Sequence, residues 1–379
     1  MKKKLYCPHP VTLALLACLL TPAWSPAAGT NAGYAQMNLV ADTNGVATNV
    51  LHLNANLLNP WGLVVSPEAI WVNDNHSGLM QTFSPLGAQM RRPVNLPAPG
   101  APSGGAADGL VGNDTGQFLV SKGAKKAPAT FLMATEDGTI LAWNPSITGS
   151  NAVIVVDNSA SGAIYKGLAI ALDENGAPHL YAANFGKETI DEFDGQFHPI
   201  QSFTDPELPE LPGGQFWAPF NIRPFRGRLF VAFAVKTGHD AGDDTAGAGN
   251  GAVDVFGTDG TLLRHFAEGG VLNSPWGMAI APRHFGKFSR ALLVGNFGDG
   301  TINAYDLLTG RPLGDLKKPD GSDLVIDGLW GLSFEREEVA GEECGFDAQR
   351  LYFTAGPAAE AHGLLGFLRP VSPAFPPAH

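Results

Sequence analysis

The chain has 379 residues, 44% hydrophobic and 16% charged, with a formal net charge of −12. That is enough apolar residue for a buried core, and the acidic balance excludes the basic surface that phosphate contacts to a nucleic acid require. No apolar run reaches the roughly 18 residues of a membrane-spanning helix, and 47 glycines with 29 prolines point to many turns.

The N-terminus carries a basic head, Lys2-Lys3-Lys4, an apolar stretch from Val11 to Leu20, and small residues in SPAAG at 25–29. This order reads as a secretory signal peptide over 1–28, cleaved after Ala27 or Ala28. Losing its three lysines and no acid takes the charge from −12 to −15. A second reading takes Leu15-Leu16-Ala17-Cys18 as a lipobox, with the lipid on Cys18. Cys7 and Cys18 go with the signal, or Cys18 carries the lipid, and Cys344 has no partner for an intrachain disulfide.

A strand-like segment follows at 34–42 (YAQMNLVAD), and then the chain repeats itself. NPWGLVV at 59–65, SPWGMAI at 274–280 and GLWGL at 328–332 open similar units. Short apolar runs follow (WVNDN at 71–75, LLVGNF at 292–297, LYFTAG at 351–356), and TILAWNP, TIDEFD and TINAYD close other copies. The opening glycine recurs at Gly62, Gly109, Gly167, Gly277 and Gly331, with Asn221 in the remaining slot, at steps of 47, 58, 54, 56 and 54 residues. Runs bounded by Gly, Asn, Asp and Pro read as strands, and GDGT at 298–301 and EDGT at 136–139 as hairpin turns. Units of this length with four short strands describe propeller blades.

The expectation is an all-β, six-bladed β-propeller forming one domain over 34–368, with a Pro-rich tail at 369–379. The last unit supplies only GLWGLSF, RLYFTAG and HGLLGFL, so 34–42 is expected to pair into it, closing the ring without long open edges.

The phrases NPWGLVVSP, FLMATEDGTILAWNP, YKGLAIA, LYAANF, APFNI, GNGAVDVF, NSPWGMAIAP, LLVGNFGDGTINAYD, DGLWGLSF and LYFTAGP together resemble an uncharacterised bacterial family of secreted NHL-like β-propellers. Some of its members end in an exosortase-type sorting tail. The resemblance runs from about Asn38 to Phe367 and implies a fold and an extracytoplasmic address, but no established reaction. The ending PVSPAFPPAH has no hydrophobic sorting tail, so a released or periplasmic protein is expected.

In an antiparallel meander the start of the first strand, the end of the second and the start of the third share one edge. The Pro-Trp-Gly corners and the polar strand ends should therefore open onto one face. That face would carry Asn59, Trp61, Asn73, Asp74, Asn75, Glu136, Asp137, Lys166, Asn184, Trp276, Asn296 and Trp330, a default binding site. The plainer roles are turn chemistry for Asn75, Asn184 and Asn296 and packing for Trp61, Trp276 and Trp330, whose indole N–H groups would still need partners.

Two metal sites are conceivable. Ring closure makes the first and sixth blades neighbours, so Asp74 and His76 could meet Glu360 and His362 in a set suited to a transition metal. In the insertion at 236–251, His239, Asp240, Asp243 and Asp244 lie among glycines, in an oxygen-rich loop that could take Ca²⁺ or act as a lid. The cofactor reading is therefore none certain, with a divalent cation possible.

The sequence has no GxSxG elbow, HExxH, P-loop or Rossmann fingerprint. The glutamate pairs at 337–338 and 342–343 sit in a late polar loop without acid–base partners. The leading functional expectation is an extracytoplasmic binding module for a small molecule, glycan or protein segment, without nucleic acid and without a membrane span. The alternative is a metal-dependent hydrolase of the lactonase or gluconolactonase type using Glu136, Asn184 and Asn296 with Asp74 or Asn75, although Leu57-Leu58-Asn59-Pro60 stands where such enzymes carry an early glutamate. A third reading, a cell-surface interaction protein, has no sorting tail or basic patch behind it.

Overall fold

The structure is a computed structural model that describes residues 33–334 and 349–371, all within one compact unit, Asn31–His379. The expected signal peptide at 1–28, Cys344, the late glutamate pairs and most of the expected tail lie outside the described residues. No described helix is long and apolar enough to cross a membrane.

Six sheets, antiparallel but for a short parallel edge pairing of His52–Leu53 in the sixth, follow one another along the chain as the blades of a propeller. Their innermost strands are Pro60–Val65, Ala107–Gly112, Tyr165–Leu172, Gln215–Phe225, Pro275–Ile280 and Leu329–Phe334. The second strands, such as Phe131–Thr135, Leu292–Asn296 and Leu351–Ala355, are buried throughout. A neighbouring blade covers each face, so these strands are almost continuously apolar rather than alternating. Outer strands such as Pro199–Phe203 and Pro312–Asp315 face solvent and are polar or mixed. The core is distributed between blades: Leu132 and Ile140 of the second pack with Leu168, Leu180 and Phe193 of the third.

The segment Tyr34–Ala41 pairs antiparallel with Leu364–Pro370, Tyr34 opposite Pro370 and Ala41 opposite Leu364, and so completes the sixth blade. The two Asp-Gly hairpins turn at Gly138 (φ 77°) and Gly300 (φ 71°), left-handed positions that favour glycine.

The repeated slot residue has a different job. Each blade has a register shift between its first two strands at or beside the slot, as between Pro60 and Leu63, Pro275 and Gly277, and Leu329 and Leu332. At these shifts the inner strands nearly touch. A methyl on Gly62 would sit 2.5 Å from the carbonyl oxygen of Asp108, on Gly109 2.6 Å from that of Lys166, on Gly277 2.6 Å from that of Trp330, and on Gly331 2.7 Å from that of Trp61. In the remaining slot, Asn221 Nδ2 donates to the carbonyl of Trp276 at 2.7 Å. Space, not backbone angle, demands glycine here.

Gly277→Ala is therefore expected to destabilise the fold by about 1–3 kcal/mol through overpacking against immobile backbone. Gly116→Ala, at an exposed site with nothing near the added methyl, should stay within about 0.5 kcal/mol. Urea unfolding midpoints of the two variants test the contrast.

Candidate functional site

The residue before each slot contributes to a single cluster on the ring axis: Trp61, Asp108, Lys166, Phe220, Trp276 and Trp330, all buried. Trp61 and Trp330 stack with centroids 3.3 Å apart, Phe297 stacks on the other side of Trp330 at 3.7 Å, and Trp276 meets Trp61 edge-on at 5.6 Å. Phe220 lies 6.1 Å from both Trp61 and Trp330. These rings form a plug, so the tryptophans are packing elements and not an open stacking platform. Trp330 Nε1 donates to Asn59 Oδ1 at 2.9 Å, whereas the indole N–H groups of Trp61 and Trp276 are buried without a hydrogen-bond partner. On the far side of the slots the channel narrows to a cavity of about 20 Å³, room for about one water molecule.

Lys166 is the only cation in this cluster of six. Its Nζ lies 4.6 Å from the centroid of the Trp61 ring, a cation–π contact. It donates to Glu136, lies 3.3 Å from Asp243 Oδ1, and lies 3.7 Å from Asp108 Oδ2. Burial opposes its charge, but Glu136, Asp108 and Asp243 outweigh burial and hold its pKa well above the ordinary lysine value. Asp108 moves up as well, through burial first and then the charge of Glu136, against the pull of Lys166 and a 2.7 Å bond from Asn75. Glu136 is the acid in direct contact with the ammonium, and Asp108 is the more deeply buried of the two.

The insertion at 236–251 supplies Asp243. Buried Lys236 anchors its base, donating to the carbonyls of Phe185 at 3.0 Å and His239 at 2.7 Å and pairing with Glu188 at 3.1 Å. Its far end is tied by Gly247 N–H donating to Asn273 Oδ1 at 2.7 Å. The loop therefore runs from the third-blade side to the fifth and lays Asp243 on Lys166, as a fixed cover over the mouth. Its other candidate ligands diverge: His239 stacks on Phe216 and pairs with Glu188 at 2.8 Å, Asp244 is turned toward Ser274, and Asp240 is exposed. These four residues do not face a common point.

At the seam of the first and sixth blades, Asn59 Nδ2 donates to Glu360 Oε2 at 2.6 Å and lies 3.4 Å from His76 Nε2. The other two expected donors turn away: His362 Nδ1 meets Asp42 at 2.8 Å, and Asp74 accepts from Gln81 at 2.7 Å inside its blade. Asp74, His76, Glu360 and His362 are thus near one another in the ring without forming one ligand set. Burial, outweighing the charge of Lys166, raises the Glu360 pKa, and the charges of Asp243 and Glu136 add to it, so all three acids share one mouth. Residues 358–360 are three consecutive left-handed positions (φ 56°, 53° and 66°).

The remaining asparagines serve the scaffold. Asn73 donates to the carbonyl of Gly109 at 3.1 Å, Asn184 to Asp191 at 2.8 Å, and Asn296 to the carbonyl of Val271 at 2.7 Å. Asp137 accepts from the backbone N–H of Ala106 at 2.8 Å. Two central residues, Asp108 and Phe220, are absent from the face expected from the sequence. Their signal was their position before a slot, which aligns them with Trp61, Lys166, Trp276 and Trp330.

The molecule is a six-bladed β-propeller whose axis is closed at one mouth by aromatic rings and an ion network. Its sequence relatives include uncharacterised proteins of Acanthamoeba polyphaga mimivirus. One is 30% identical over 319 residues (83% of this chain, 76% of the relative) and another 30% identical over 338 residues (87% and 84%). The chain belongs to the same family as these proteins. It spans about half the length (51%) of a third mimiviral relative, to which it is 32% identical. No family profile matches the chain. Among solved structures, a streptogramin B lyase superposes with a TM-score of 0.51 at 10% identity, covering 91% of this chain and all of that one. A protein of unknown function from Bacteroides thetaiotaomicron gives 0.52 at 11% identity, covering 89% and 76%. At such identity these likenesses establish the fold alone.

Two outcomes follow for the buried charges. Lys166→Met should cost about 3–5 kcal/mol, because it leaves buried acid without its partner. Asp74 is fully buried, its pKa raised well above the usual value by desolvation and only partly lowered by Gln81. Its folded form holds a proton that the unfolded chain releases at about pH 4, so its contribution is complete below that pH and is lost as pH rises through the folded pKa. Asp74→Asn should therefore be more stable than the parent at pH 8, with the difference shrinking toward pH 4 in urea melts at each pH.

Proposed function

We propose that this chain is an extracytoplasmic, non-enzymatic binding module, and that the mouth face receives a ligand bearing a positive charge. The observation that carries this reading is the charge count at the mouth: Asp108, Glu136, Asp243 and Glu360 surround the single ammonium of Lys166. A cation arriving there meets excess carboxylate, with Asp243 largely exposed (78%) and Glu136 partly so (31%). The left-handed run at 358–360 that presents Glu360 is the kind of strain proteins keep at working sites. The signal-peptide pattern at the N-terminus supports export, and the resemblance to secreted NHL-like propellers supports the same address.

The lactonase reading is less well supported. Asn184 and Asn296 are committed to their own blades, and the Lys166 ammonium occupies the centre of the acid group where such an enzyme would need a divalent ion. A lysine held charged is neither a nucleophile nor a general base.

Spermidine is a suitable probe, with intrinsic fluorescence of the plug tryptophans as readout. Saturable binding is expected, weakened about tenfold or more when Asp243→Asn and Glu360→Gln are combined, a loss of about 1.4 kcal/mol, and weakened further in high salt. Absence of saturable binding, or equal binding by the double variant, would reject the reading.

A further inference from the structure

Away from the mouth, three side chains from separate parts of the chain converge at the seam between the third and fourth blades. Asp205 lies in the connection after the outer strand Pro199–Phe203. Asp254 and His265 are cross-strand partners on the third and outer strands of the fourth blade, Gly251–Phe256 and Leu262–Glu268. One ligand atom from each lies within 4.8 Å of the others, the only such group of three among the described residues. His265 Nδ1 is 3.1 Å from Asp254 Oδ1 and 3.3 Å from Asp205 Oδ2.

Proximity alone would not make this a site. What does is the state of the two acids. Their side chains are 0% and 1% exposed, yet Asp205 Oδ2 and Asp254 Oδ2 have no hydrogen-bond partner. The other oxygen of Asp205 is already engaged, accepting from the backbone N–H of Glu207 at 2.7 Å. Buried acceptor oxygens are normally satisfied, and a bound cation would satisfy both. The imidazole is oriented for that purpose. Glu207 Oε2 lies 3.3 Å from His265 Nε2, and Nδ1 faces both aspartates; with an ion bound, Glu207 would hold the ring N–H on Nε2 and leave Nδ1 free to coordinate. A carboxylate bracing the far nitrogen of a metal-binding histidine is a recurrent arrangement.

We propose that Asp205, Asp254 and His265 form a binding site for a divalent transition metal ion that staples the third blade to the fourth, with Glu207 as the positioning residue for the histidine. One imidazole with two carboxylates suits an ion of zinc's character better than Ca²⁺, which prefers an all-oxygen shell. Three protein ligands leave a further coordination position for water. The site is independent of the mouth and of the ligand proposed there.

The test uses the full mature chain, stripped with chelator and titrated with Zn²⁺ by calorimetry, with Tm followed in parallel. One Zn²⁺ per chain is expected, with a rise in Tm and little competition from excess Ca²⁺. Asp254→Asn removes one buried carboxylate, so it should keep or raise the metal-free Tm while weakening Zn²⁺ binding at least 100-fold and abolishing the Tm rise. His265→Ala should lose binding likewise, and Glu207→Gln should weaken it about tenfold. Failure of the folded parent chain to bind stoichiometric Zn²⁺, or equal binding by Asp254→Asn and His265→Ala, would overturn the proposal; the latter would mean the acids are neutralised by a proton instead.

Discussion

Near-contact of the inner strands at the slot residues governs the rest of the molecule. Because the carbonyls of Asp108, Lys166, Trp330 and Trp61 lie so near the opposing slot glycines, the inner wall of the ring has almost no freedom to widen. The residue before each slot then joins one small shared volume on the axis. Four aromatic side chains fill most of it, and what remains is shared by one acid and one base. The deep burial of Lys166 follows from the architecture: it occupies a place in the ring that in four of the other five blades holds a tryptophan or phenylalanine.

A buried ammonium must be compensated, and the molecule compensates it from three directions. The Trp61 ring gives it a negative π face, Asp108 an axial neighbour, and Glu136 with Asp243 carboxylates from the rim. The last of these comes from a loop outside the blade pattern. The cover over the mouth is therefore both a steric element and a counter-charge. Its two anchors, Lys236 at the base and Asn273 beyond its far end, keep that charge in place. Excess acid at the rim is what distinguishes the mouth from a merely neutralised core.

The architecture was readable because it is periodic. Slot spacing, Asp-Gly turns and the strand at 34–42 yielded the blade number and the closure, since each repeats or completes a local pattern. The mouth was partly readable for the same reason: residues at equivalent points of equivalent blades must share a face. The partners chosen by individual side chains were not. Asp74 turns into its blade toward Gln81, and His362 turns to Asp42 rather than across the seam, because hydrogen bonding inside one blade competes with contacts across the axis. Asp108 was hidden by its chemistry, an acid in a slot pattern dominated by tryptophan. The trio of Asp205, Asp254 and His265 was invisible for another reason: no spacing rule connects an interblade loop with a cross-strand pair about 50 residues later.

Ring closure also bears on how the molecule is made. The strand that begins at Tyr34 finds its partner only at Pro370, so the first strand of the propeller waits for the last. Closing a chain of this length costs on the order of 5 kcal/mol in loop entropy, a cost lowered if the intervening blades fold first and bring the two segments together. Until then the sixth sheet lacks its outer strand and offers an unpaired edge. The seam where Asn59 meets Glu360 therefore joins the two ends of the propeller, and the mouth it borders is whole only once those ends have met.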